Sequence, residues 1–304
     1  NIDIVVNQYA LYSDNDFLQN AKDVKIISVI HSSPFCAYDH MYYKLTRTIG
    51  GGLKNVLRMS VRGLLAFEVK YRIKRALDTH FLQLARTSAK ICFLSESYKE
   101  RIYGEYNIPQ SFLCSIPNPN SFSKVPGLLK KEKEVIFVGR LHNESKNIMS
   151  LLSIWKKVSP QNTEWKLTIV GDGQDRKMAE EYASTLPNVT FVGFQEPKSY
   201  YEKASIFCLT SVFEGFPMCI TEAMQYGCVP IAFDSFGALT DIVHDGEDGV
   251  IVKAFSENDF AKKLSQIMND DRLRKELADN ARKNISRYDE DKILPMWEKL
   301  FDSL

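Results

Sequence analysis

Ten short apolar runs rich in β-branched residues recur along the chain, and segments with helical periodicity separate most of them. This alternation predicts α/β units, in which helices cover parallel sheets on both faces. Ser97-x-x-Glu100 and Ser256-x-x-Asp259 have the pattern of capping boxes at helix starts. The predicted strands lie near residues 2–6, 24–30, 90–94, 113–116, 134–138, 165–170, 189–193, 205–209, 229–232 and 249–252.

The composition is that of a globular protein. The chain has 304 residues, of which 44% are hydrophobic and 25% are charged, so it is long enough for two separate cores and is neither disordered nor collagen-like. It has no apolar run of about eighteen residues, and its start does not match a signal peptide, so we expect a cytoplasmic protein. Six cysteines lie far apart without metal-site spacing, which predicts reduced thiols in the core.

A basic region covers residues 41–90, which carry eleven Lys and Arg against two acids although the net charge of the whole chain is +1. Within it, an apolar stripe with helical spacing (Leu53, Leu57, Val61 and Leu64) adjoins a basic stripe of Lys54, Arg58 and Arg62. Such a helix suits an anionic membrane surface, but a solvated basic face on a helix packed against its own domain fits equally well. We expect no nucleic-acid partner, since no aromatic-basic interleaving is present.

A polar segment after residue 116 separates two groups of strands. Pro117 and Pro119 favour extended backbone, and the Lys-rich stretch that follows has few apolar residues to pack. We therefore predict a Rossmann-like domain over residues 1–119, a second over 120–288, and a closing helix over 289–304. Ligands of open α/β sheets bind beyond the carboxyl ends of the strands, so motifs at those ends are candidate sites.

Two carboxylates flank a proline in Glu214-Gly-Phe-Pro-Met-Cys-Ile-Thr-Glu222. Pro217 suits the first position of a helix, and good helix formers follow it until Gly227, so the pattern predicts a tight loop that opens into a short helix. Its N-terminal N–H groups and dipole suit a phosphate or diphosphate. Glu222, one turn inside, could accept hydrogen bonds from the two hydroxyls of a ribose. The alternative is that the helix dipole alone favours these acids.

Two further motifs follow predicted strands. In Val138-Gly-Arg-Leu-His-Asn-Glu-Ser-Lys146, Gly139 permits a close turn, Arg140 offers a rigid fork of donors, and Lys146 adds a mobile positive charge. Together they could neutralise a diphosphate, although a lone Arg and Lys at a strand end are usually solvated. Gly171-Asp-Gly173 is another tight turn, which taken alone indicates structure rather than binding.

These motifs, in this order and with the Gly-rich segment Asp245 to Val250, resemble the retaining glycosyltransferases of family 4, which have the two-domain GT-B architecture. The resemblance implies two Rossmann-like domains with parallel sheets that face across a cleft. It implies that Arg140 and Lys146 bind the donor diphosphate, Glu222 the ribose and Glu214 the donor sugar. The predicted donor-binding residues are Gly139, Arg140, Lys146, Gly171, Glu214, Gly215, Phe216, Pro217, Met218, Cys219, Ile220 and Glu222.

In the first half of the chain the resemblance places His31, at the end of the strand Val24 to Ile30, beside the reaction centre. The predicted catalytic residues are therefore His31, Glu214, Arg140 and Lys146, with the alternative that His31 is only a surface group. Pro119 stands where the family usually has a hinge glycine. The family's first strands and glycine-rich loop have no counterpart, so we expect the N-terminal domain to be incomplete. The closing helix is expected to return to that domain.

The resemblance implies transfer of a sugar, with retention, from a nucleoside diphosphate sugar, for which UDP is the expected nucleotide. The expected acceptor is a hydroxyl of a glycan or lipid-linked glycan. No cofactor or metal is expected; Asp14-Asn-Asp16 and Asp289-Glu-Asp291 match the D-x-D of metal-dependent transferases, but neither follows a central strand. Two alternatives are a nucleotide-sugar epimerase of GT-B shape, which would use a carboxylate pair for acid–base chemistry, and a non-catalytic nucleotide-sugar-binding protein.

Overall fold

The structure is a computed structural model, and it describes residues 2–10, 23–36, 53–106, 108–122, 125, 127 and 129–304. Among side chains from Leu53 to Lys70, only that of Glu68 is described. Contacts divide the chain into two compact units. Unit 1 comprises Asn1–Pro117, Phe213–Phe216 and Pro295–Leu304, and unit 2 comprises Asn118–Val212 and Pro217–Leu294. The three predicted domains, as independently folding bodies, stay a prediction.

Unit 1 contains a sheet of four parallel strands in the order β1-β2-β3-β4. The strands are β1 (Ile4–Asn7), β2 (Lys25–Ile30), β3 (Lys90–Phe93) and β4 (Leu113–Ser115). Two helices connect them, α1 (Leu53–Thr87) and α2 (Glu96–Glu105), and a 3-10 turn, Gln110–Phe112, precedes β4. These helices lie in the crossovers from β2 to β3 and from β3 to β4, as parallel pairing requires.

Unit 2 contains a six-stranded sheet in the order β10-β9-β8-β5-β6-β7, in which all neighbours are parallel. Its first strand, β5, lies in the middle; the chain builds outward on one side through β6 and β7 and then on the other through β8 to β10. The order therefore reverses between β5 and β8. The strands are β5 (Glu132–Val138), β6 (Lys166–Val170), β7 (Val189–Gly193), β8 (Ala204–Leu209), β9 (Val229–Asp234) and β10 (Val250–Lys253).

Helices connect these strands, and α11 closes the chain. They are α3 (Asn143–Lys146), α4 (Ile148–Val158), α5 (Arg176–Ala183), α6 (Lys198–Lys203), α7 (Met218–Gln225), α8 (Leu239–Ile242), α9 (Glu257–Asn269), α10 (Asp271–Asn284) and α11 (Glu290–Asp302), with 3-10 turns at Ser159–Gln161 and Ile285–Tyr288. Among the described residues, no helix combines the length and the apolar character needed to cross a bilayer.

The core of unit 2 lies between its sheet and the helices that cover it. Trp155 of α4 is fully buried there with Phe137 and Ile169 from the central strands and Phe260 from α9. The indole N–H of Trp155 donates to the carbonyl of Pro187 at 2.9 Å, so burial of its one polar atom costs little.

The structure confirms the predicted α/β class and parallel sheets, and each of the ten predicted strands is found within two residues of its expected bounds. Helix starts were less well predicted. Ser97 is not the cap of α2, because the hydroxyl of Ser95 accepts the N–H of Tyr98 at 3.4 Å. Ser256 does precede α9, but its hydroxyl donates to Asp259 at 2.6 Å instead of accepting a backbone N–H. Both capping boxes were therefore wrong in their hydrogen bonds.

The helix after Pro217 was predicted one residue too long at each end. Pro217 occupies the N-cap with an extended ψ of 95°, so the helix begins at Met218. It ends at Gln225, before Gly227, which has a φ of +73° and lies in the left-handed region that favours glycine. The single helical turn Asn143–Lys146 was not predicted.

The packing of Trp155 in the core of unit 2 can be tested by comparing its substitution with that of an exposed aromatic residue of the same unit. We expect Trp155→Ala to lower the free energy of unfolding by about 3–5 kcal/mol, because a large cavity replaces the indole. Phe194 is 86% exposed, so Phe194→Ala should change that free energy by less than about 0.5 kcal/mol. Urea unfolding followed by circular dichroism measures both. Equal losses in the two variants would contradict the packing described.

Candidate functional site

The carboxyl ends of β5, β6 and β7 enclose a cavity of about 410 Å³ in unit 2. Gly139 and Arg140 line it directly after β5, Gly171 directly after β6, and the segment 194–197 directly after β7. It borders the point at which the strand order reverses, the place where doubly wound sheets bind ligands. A second cavity, of about 440 Å³, lies at the other end of the strands, where Lys131 precedes β5 and Ser205 lies at the start of β8. None of the predicted site residues lines it.

Two glycines shape the floor of this crevice by close backbone contact. A Cβ on Gly171 would lie 1.9 Å from the carbonyl oxygen of Gly139, and Gly171 has a φ of +142°. The N–H of Gly139 donates to Val170 at 3.0 Å, and the N–H of Gly171 donates to Gly193 at 2.8 Å, so the three strand ends are tied together. No side chain fits at residue 171, and the backbone itself faces the cavity.

The structure brings the predicted cations to this edge. Arg140 is exposed at the cavity, and Lys146, half-buried, has its Cε 3.8 Å from the Cβ position of Gly139. The turn that carries Lys146 is anchored beside β8, because the hydroxyl of Thr210 donates to the carbonyls of Lys146 and Asn147, each at 3.1 Å. Asn147 makes the sharp turn between α3 and α4 with a left-handed φ of 52°. Lys146 is thus held at the junction of β5 and β8.

Glu222 lies half-buried in the second turn of α7. One carboxylate oxygen accepts the hydroxyl of Ser121 at 2.7 Å, and the other accepts the phenol of Tyr201 at 3.0 Å. Burial raises the pKa of Tyr201 well above its usual value, and the Glu222 carboxylate adds to that effect, so the phenol stays a donor. Glu222 is not among the residues that line the 410 Å³ cavity. Its partners were not predicted, since they lie far away in sequence.

The N-terminus of α7 follows β8 at the same edge of the sheet. Pro217 contributes no N–H, and the N–H of Ile220 is turned back onto the carbonyl of Pro217 at 3.0 Å. Met218 and Cys219, which lie between Pro217 and Ile220, are each half-buried. Of the predicted run Phe216 to Ile220, these two residues are therefore the best placed to present backbone N–H groups.

His31 lies in unit 1, directly after β2 and largely exposed. Its Nε2 pairs with the side-chain oxygen of Gln8, a residue that the sequence did not single out. Partial burial lowers the pKa of His31, which favours the neutral imidazole at pH 7.

Glu214, Gly215 and Phe216 group with unit 1. A Cβ on Gly215 would lie 1.9 Å from the carbonyl oxygen of His31, so the backbone of this segment presses against the end of β2. The phenol of Tyr98 donates to the carbonyl of Glu214 at 2.5 Å and fixes the segment from the other side. Unit 1 thus brings together His31 and Glu214, two of the predicted catalytic residues.

Among the described residues, no three His, Cys, Asp or Glu side chains group in a way that could hold a metal ion. Of the two D-x-D matches, Asp14 and Asp16 lie outside the described residues. Asp289 accepts the amide of Asn120 at 2.8 Å, and Asp291 pairs with Lys292 at 3.1 Å. Both acids of the second match therefore have structural partners.

A sequence model of the family "Glycosyl transferases group 1" matches residues 120–284, more than half of the chain. The chain belongs to this family. An alpha-1,4-N-acetyl-D-galactosaminyltransferase of Campylobacter jejuni is 32% identical over 188 residues, which cover 60% of this chain and 52% of that protein. The amylovoran biosynthesis glycosyltransferase AmsD of Erwinia amylovora is 28% identical over 290 residues, 86% of this chain and 80% of AmsD.

Solved structures share the fold. TarM of S. aureus, in a complex that contains UDP, has a TM-score of 0.74 at 22% identity over 94% of this chain and 52% of TarM. HepE of Anabaena, with UDP-glucose, has a TM-score of 0.74 at 17% identity over 99% of this chain and 79% of HepE. These similarities confirm the predicted GT-B fold class. The chain spans about half the length of TarM and of the Campylobacter enzyme.

The close contact at Gly215 gives a test in unit 1. We expect Gly215→Ala to displace the segment 213–216 from the end of β2, because its Cβ would overlap the His31 carbonyl. Gly104 in α2 is the matched control, since a Cβ there meets nothing within 4 Å and Ala is favoured in helices by up to about 1 kcal/mol. The melting temperature should fall in Gly215→Ala and stay level or rise in Gly104→Ala. A fall of the same size in both would contradict the contact.

Proposed function

We propose that this chain transfers a sugar from a UDP-sugar to a hydroxyl of a glycan or lipid-linked glycan, with retention of anomeric configuration and without a metal ion. The observation that carries the proposal is the glycine-floored cavity at the carboxyl ends of β5 to β7, inside the region matched by the glycosyltransferase family. Exposed backbone and adjacent cations in such a crevice suit a nucleoside diphosphate.

The proposed diphosphate site uses fixed positive charge. Arg140 can form two parallel hydrogen bonds to phosphate oxygens, and Lys146, anchored beside Gly139, supplies a point charge. The N–H groups of Met218 and Cys219 at the start of α7 add donors and the positive end of the helix dipole. As the sugar bond breaks, negative charge grows on the leaving diphosphate, and these preorganised groups stabilise it in place of a metal ion.

The proposed nucleobase site is the far side of the cavity, beside Phe194. A phenylalanine that is 86% exposed in water has no packing role, but its ring offers a stacking surface for a base. Stacking of a base on an aromatic ring contributes about 1–3 kcal/mol to binding. The UDP complexes of TarM and HepE support uridine as the base.

Glu222 is the proposed acceptor for the ribose hydroxyls. Each carboxylate oxygen has two lone pairs, so the hydrogen bonds from Ser121 and Tyr201 leave one acceptor position on each oxygen. Buried Tyr201 fixes the carboxylate, whereas exposed Ser121 occupies a position that a ribose hydroxyl could take. Tyr201 is therefore proposed as a positioning residue.

For the transfer step, the proposal keeps the roles predicted for the residues of unit 1. Glu214 would bind hydroxyls of the donor sugar, and His31, neutral at pH 7, would donate or accept a hydrogen bond near the reacting carbon. The acceptor hydroxyl attacks on the face that the diphosphate leaves, and its proton passes to the leaving phosphate oxygen. No enzyme carboxylate is then needed as a nucleophile.

The proposed class of acceptor is based on the names of two relatives. The Campylobacter enzyme is named for an undecaprenol-diphosphate-linked glycan, and AmsD for the biosynthesis of amylovoran. A glycan or a lipid-linked glycan is accordingly the proposed acceptor of this chain. We further propose that it acts at the cytoplasmic face of the membrane as a peripheral protein.

The decisive experiment combines binding with turnover. A panel of nucleotide sugars is screened by thermal shift, since a ligand that binds the native state raises the melting temperature. UDP release is then measured with a synthetic polyprenyl-diphosphate-linked N-acetylhexosamine and with aryl glycosides, with and without EDTA, and the product anomer is assigned by NMR. We expect acceptor-dependent UDP release that EDTA does not change, and a retained anomer.

Each alternative gives a different result in that assay. Conversion of the donor without acceptor would favour an epimerase, and a thermal shift without turnover on any acceptor would favour a binding protein. Loss of activity in EDTA would contradict metal independence, and an inverted product would contradict retention.

Two variants distinguish the contribution of the base from that of the ribose to UDP binding. We expect Phe194→Ala to weaken UDP binding about 5- to 100-fold through loss of stacking, and Glu222→Ala to weaken it at least about 10-fold through loss of two charged acceptors. Glu214→Ala should lower turnover more than UDP affinity. Isothermal titration calorimetry with UDP measures all three affinities.

Two controls keep the Glu222 result interpretable. Ser121→Ala removes the exposed partner and should leave UDP affinity within about 3-fold of the parent, because the ribose replaces that hydroxyl. Tyr201→Phe should weaken UDP binding less than Glu222→Ala does, because it affects only the position of the carboxylate. Unchanged UDP affinity in Glu222→Ala would remove Glu222 from the site.

The basic stripe is the proposed membrane contact. Helix α1 is present over Leu53–Thr87, but the side chains of Leu53, Leu57, Val61, Leu64, Lys54, Arg58 and Arg62, like residues 41–52 of the basic region, lie outside the described part. Each basic residue near an anionic surface contributes about 1 kcal/mol. We therefore expect the double variant Arg58→Glu, Arg62→Glu to sediment at least about 10-fold less with phosphatidylserine-containing vesicles.

The matched control is Lys177→Glu with Lys262→Glu, two exposed lysines of unit 2 that give the same change in net charge. It should sediment like the parent. Equal sedimentation of both double variants would instead assign the basic stripe to a solvated face of α1.

A further inference from the structure

Two cysteines that are 22 positions apart in sequence are neighbours in the sheet of unit 1. Strands β3 and β4 pair in parallel, and Cys92 lies directly opposite Cys114 in their register. Residues opposite each other point to the same face, and adjacent strands lie about 4.8 Å apart, within the Cα separation of about 4.4–6.8 Å that disulfides span. Neither cysteine forms a disulfide; the thiol of Cys92 donates to the carbonyl of Phe93 and the thiol of Cys114 to the carbonyl of Ile91, each at 3.7 Å.

The two thiols differ in exposure. Cys92 is fully buried in β3, whereas Cys114 is half-buried in β4, a three-residue strand at the edge of the sheet. An edge strand has a neighbour on one side only, so β4 can approach β3 by the roughly 1 Å by which the strand spacing exceeds the usual Cβ separation of a disulfide. Cys114 is the thiol that a small oxidant reaches first.

The two thiols also differ in the direction in which their surroundings shift their pKa. The neighbouring Cys92 thiol lowers the pKa of Cys114, and the ammonium groups of Lys90 and Lys99 lower it further, against the effect of burial. The neighbouring Cys114 and burial raise the pKa of Cys92. Cys114 is thus the one that more readily becomes a thiolate, and the thiolate is the nucleophile in thiol chemistry.

We propose that Cys92 and Cys114 form a thiol pair that a peroxide oxidises to a reversible disulfide across β3 and β4. This site is independent of the donor chemistry proposed for unit 2. Among the register pairs of the two sheets, no other pair consists of two cysteines in the part of the chain that the structure describes. Cys208, for example, lies opposite Ile231.

The reaction proceeds in two balanced steps. The Cys114 thiolate attacks one oxygen of hydrogen peroxide, the O–O bond breaks, and the hydroxide that leaves takes up a proton to become water. Cys114 is then a sulfenic acid. The sulfur of Cys92 attacks the sulfur of Cys114, the S–S bond forms, and the S–O bond breaks with loss of a second water that carries the thiol proton. Overall, two thiols lose two electrons and two protons, and the peroxide is reduced to two waters.

The disulfide would restrain β4, the last strand of unit 1 before the chain enters unit 2. From Cys114 the chain continues through Ser115 and reaches the boundary with unit 2 at Pro117. A disulfide would hold this short strand to the centre of the sheet. Because the strand spacing is wider than the usual Cβ separation of disulfides, the bond is expected to be readily reduced, as strained disulfides are.

The test uses the full chain treated with hydrogen peroxide. Free thiols are alkylated under denaturing conditions, and peptides are mapped by mass spectrometry before and after reduction with dithiothreitol. We expect two of the six thiols to be lost together, one cross-linked peptide pair that contains Cys92 and Cys114, and full recovery on reduction. Retention of all six thiols, or a cross-link between other cysteines, would overturn the proposal.

Three variants define the order of the steps. In Cys92→Ser we expect no disulfide and a sulfenic acid on Cys114 that dimedone traps, whereas Cys114→Ser should leave Cys92 reduced. Cys36→Ser, a half-buried cysteine of the same unit, is the matched control and should keep the disulfide. Labelling of Cys92 before Cys114 would contradict the assigned roles, and the parent protein decides the pairing even if one variant fails to fold.

Discussion

The contact between the ends of β5 and β6 is the constraint on which the candidate site depends. Gly171 lies against the carbonyl of Gly139, at a distance that no side chain would allow. The cavity lies at the carboxyl ends of β5, β6 and β7, and side chains filling it would leave no backbone exposed to a ligand. With glycine at this position the cavity stays open; Arg140 lines it, and the Lys146 side chain lies beside Gly139.

The strands could be predicted from the sequence because parallel strands buried on both faces form continuous apolar runs. The ends of the helices could not be predicted in this way. Ser95 and Ser97 both satisfy the local rule for a cap, and only the backbone path decides which hydroxyl meets an N–H. Side-chain partners were out of reach for the same reason, since Glu222 meets Ser121 across 101 positions. Phe194 had a weak signal, an aromatic residue directly after a strand-ending glycine, but its exposure could not be read from that pattern.

The hydrogen bonds of Glu222 change how its predicted role is understood. From sequence it was a carboxylate awaiting a ribose; in the structure, Tyr201 and Ser121 already hold it. A half-buried carboxylate without donors would be unfavourable, so partners must satisfy it in the absence of nucleotide. The buried phenol and the exposed hydroxyl divide this task, because one fixes the carboxylate and the other can give way to a ligand. Preorganisation of this kind lowers the cost of ordering the site on binding.

The same parallel topology produces the thiol pair, which explains why the sequence could not reveal it. The six cysteines were interpreted as reduced core thiols because they lie far apart along the chain. Register, not spacing, places Cys92 opposite Cys114. A shift of one residue in the pairing would send the two side chains to opposite faces of the sheet and separate the sulfurs. The proposed redox chemistry therefore depends on the register that buries the apolar residues of this sheet.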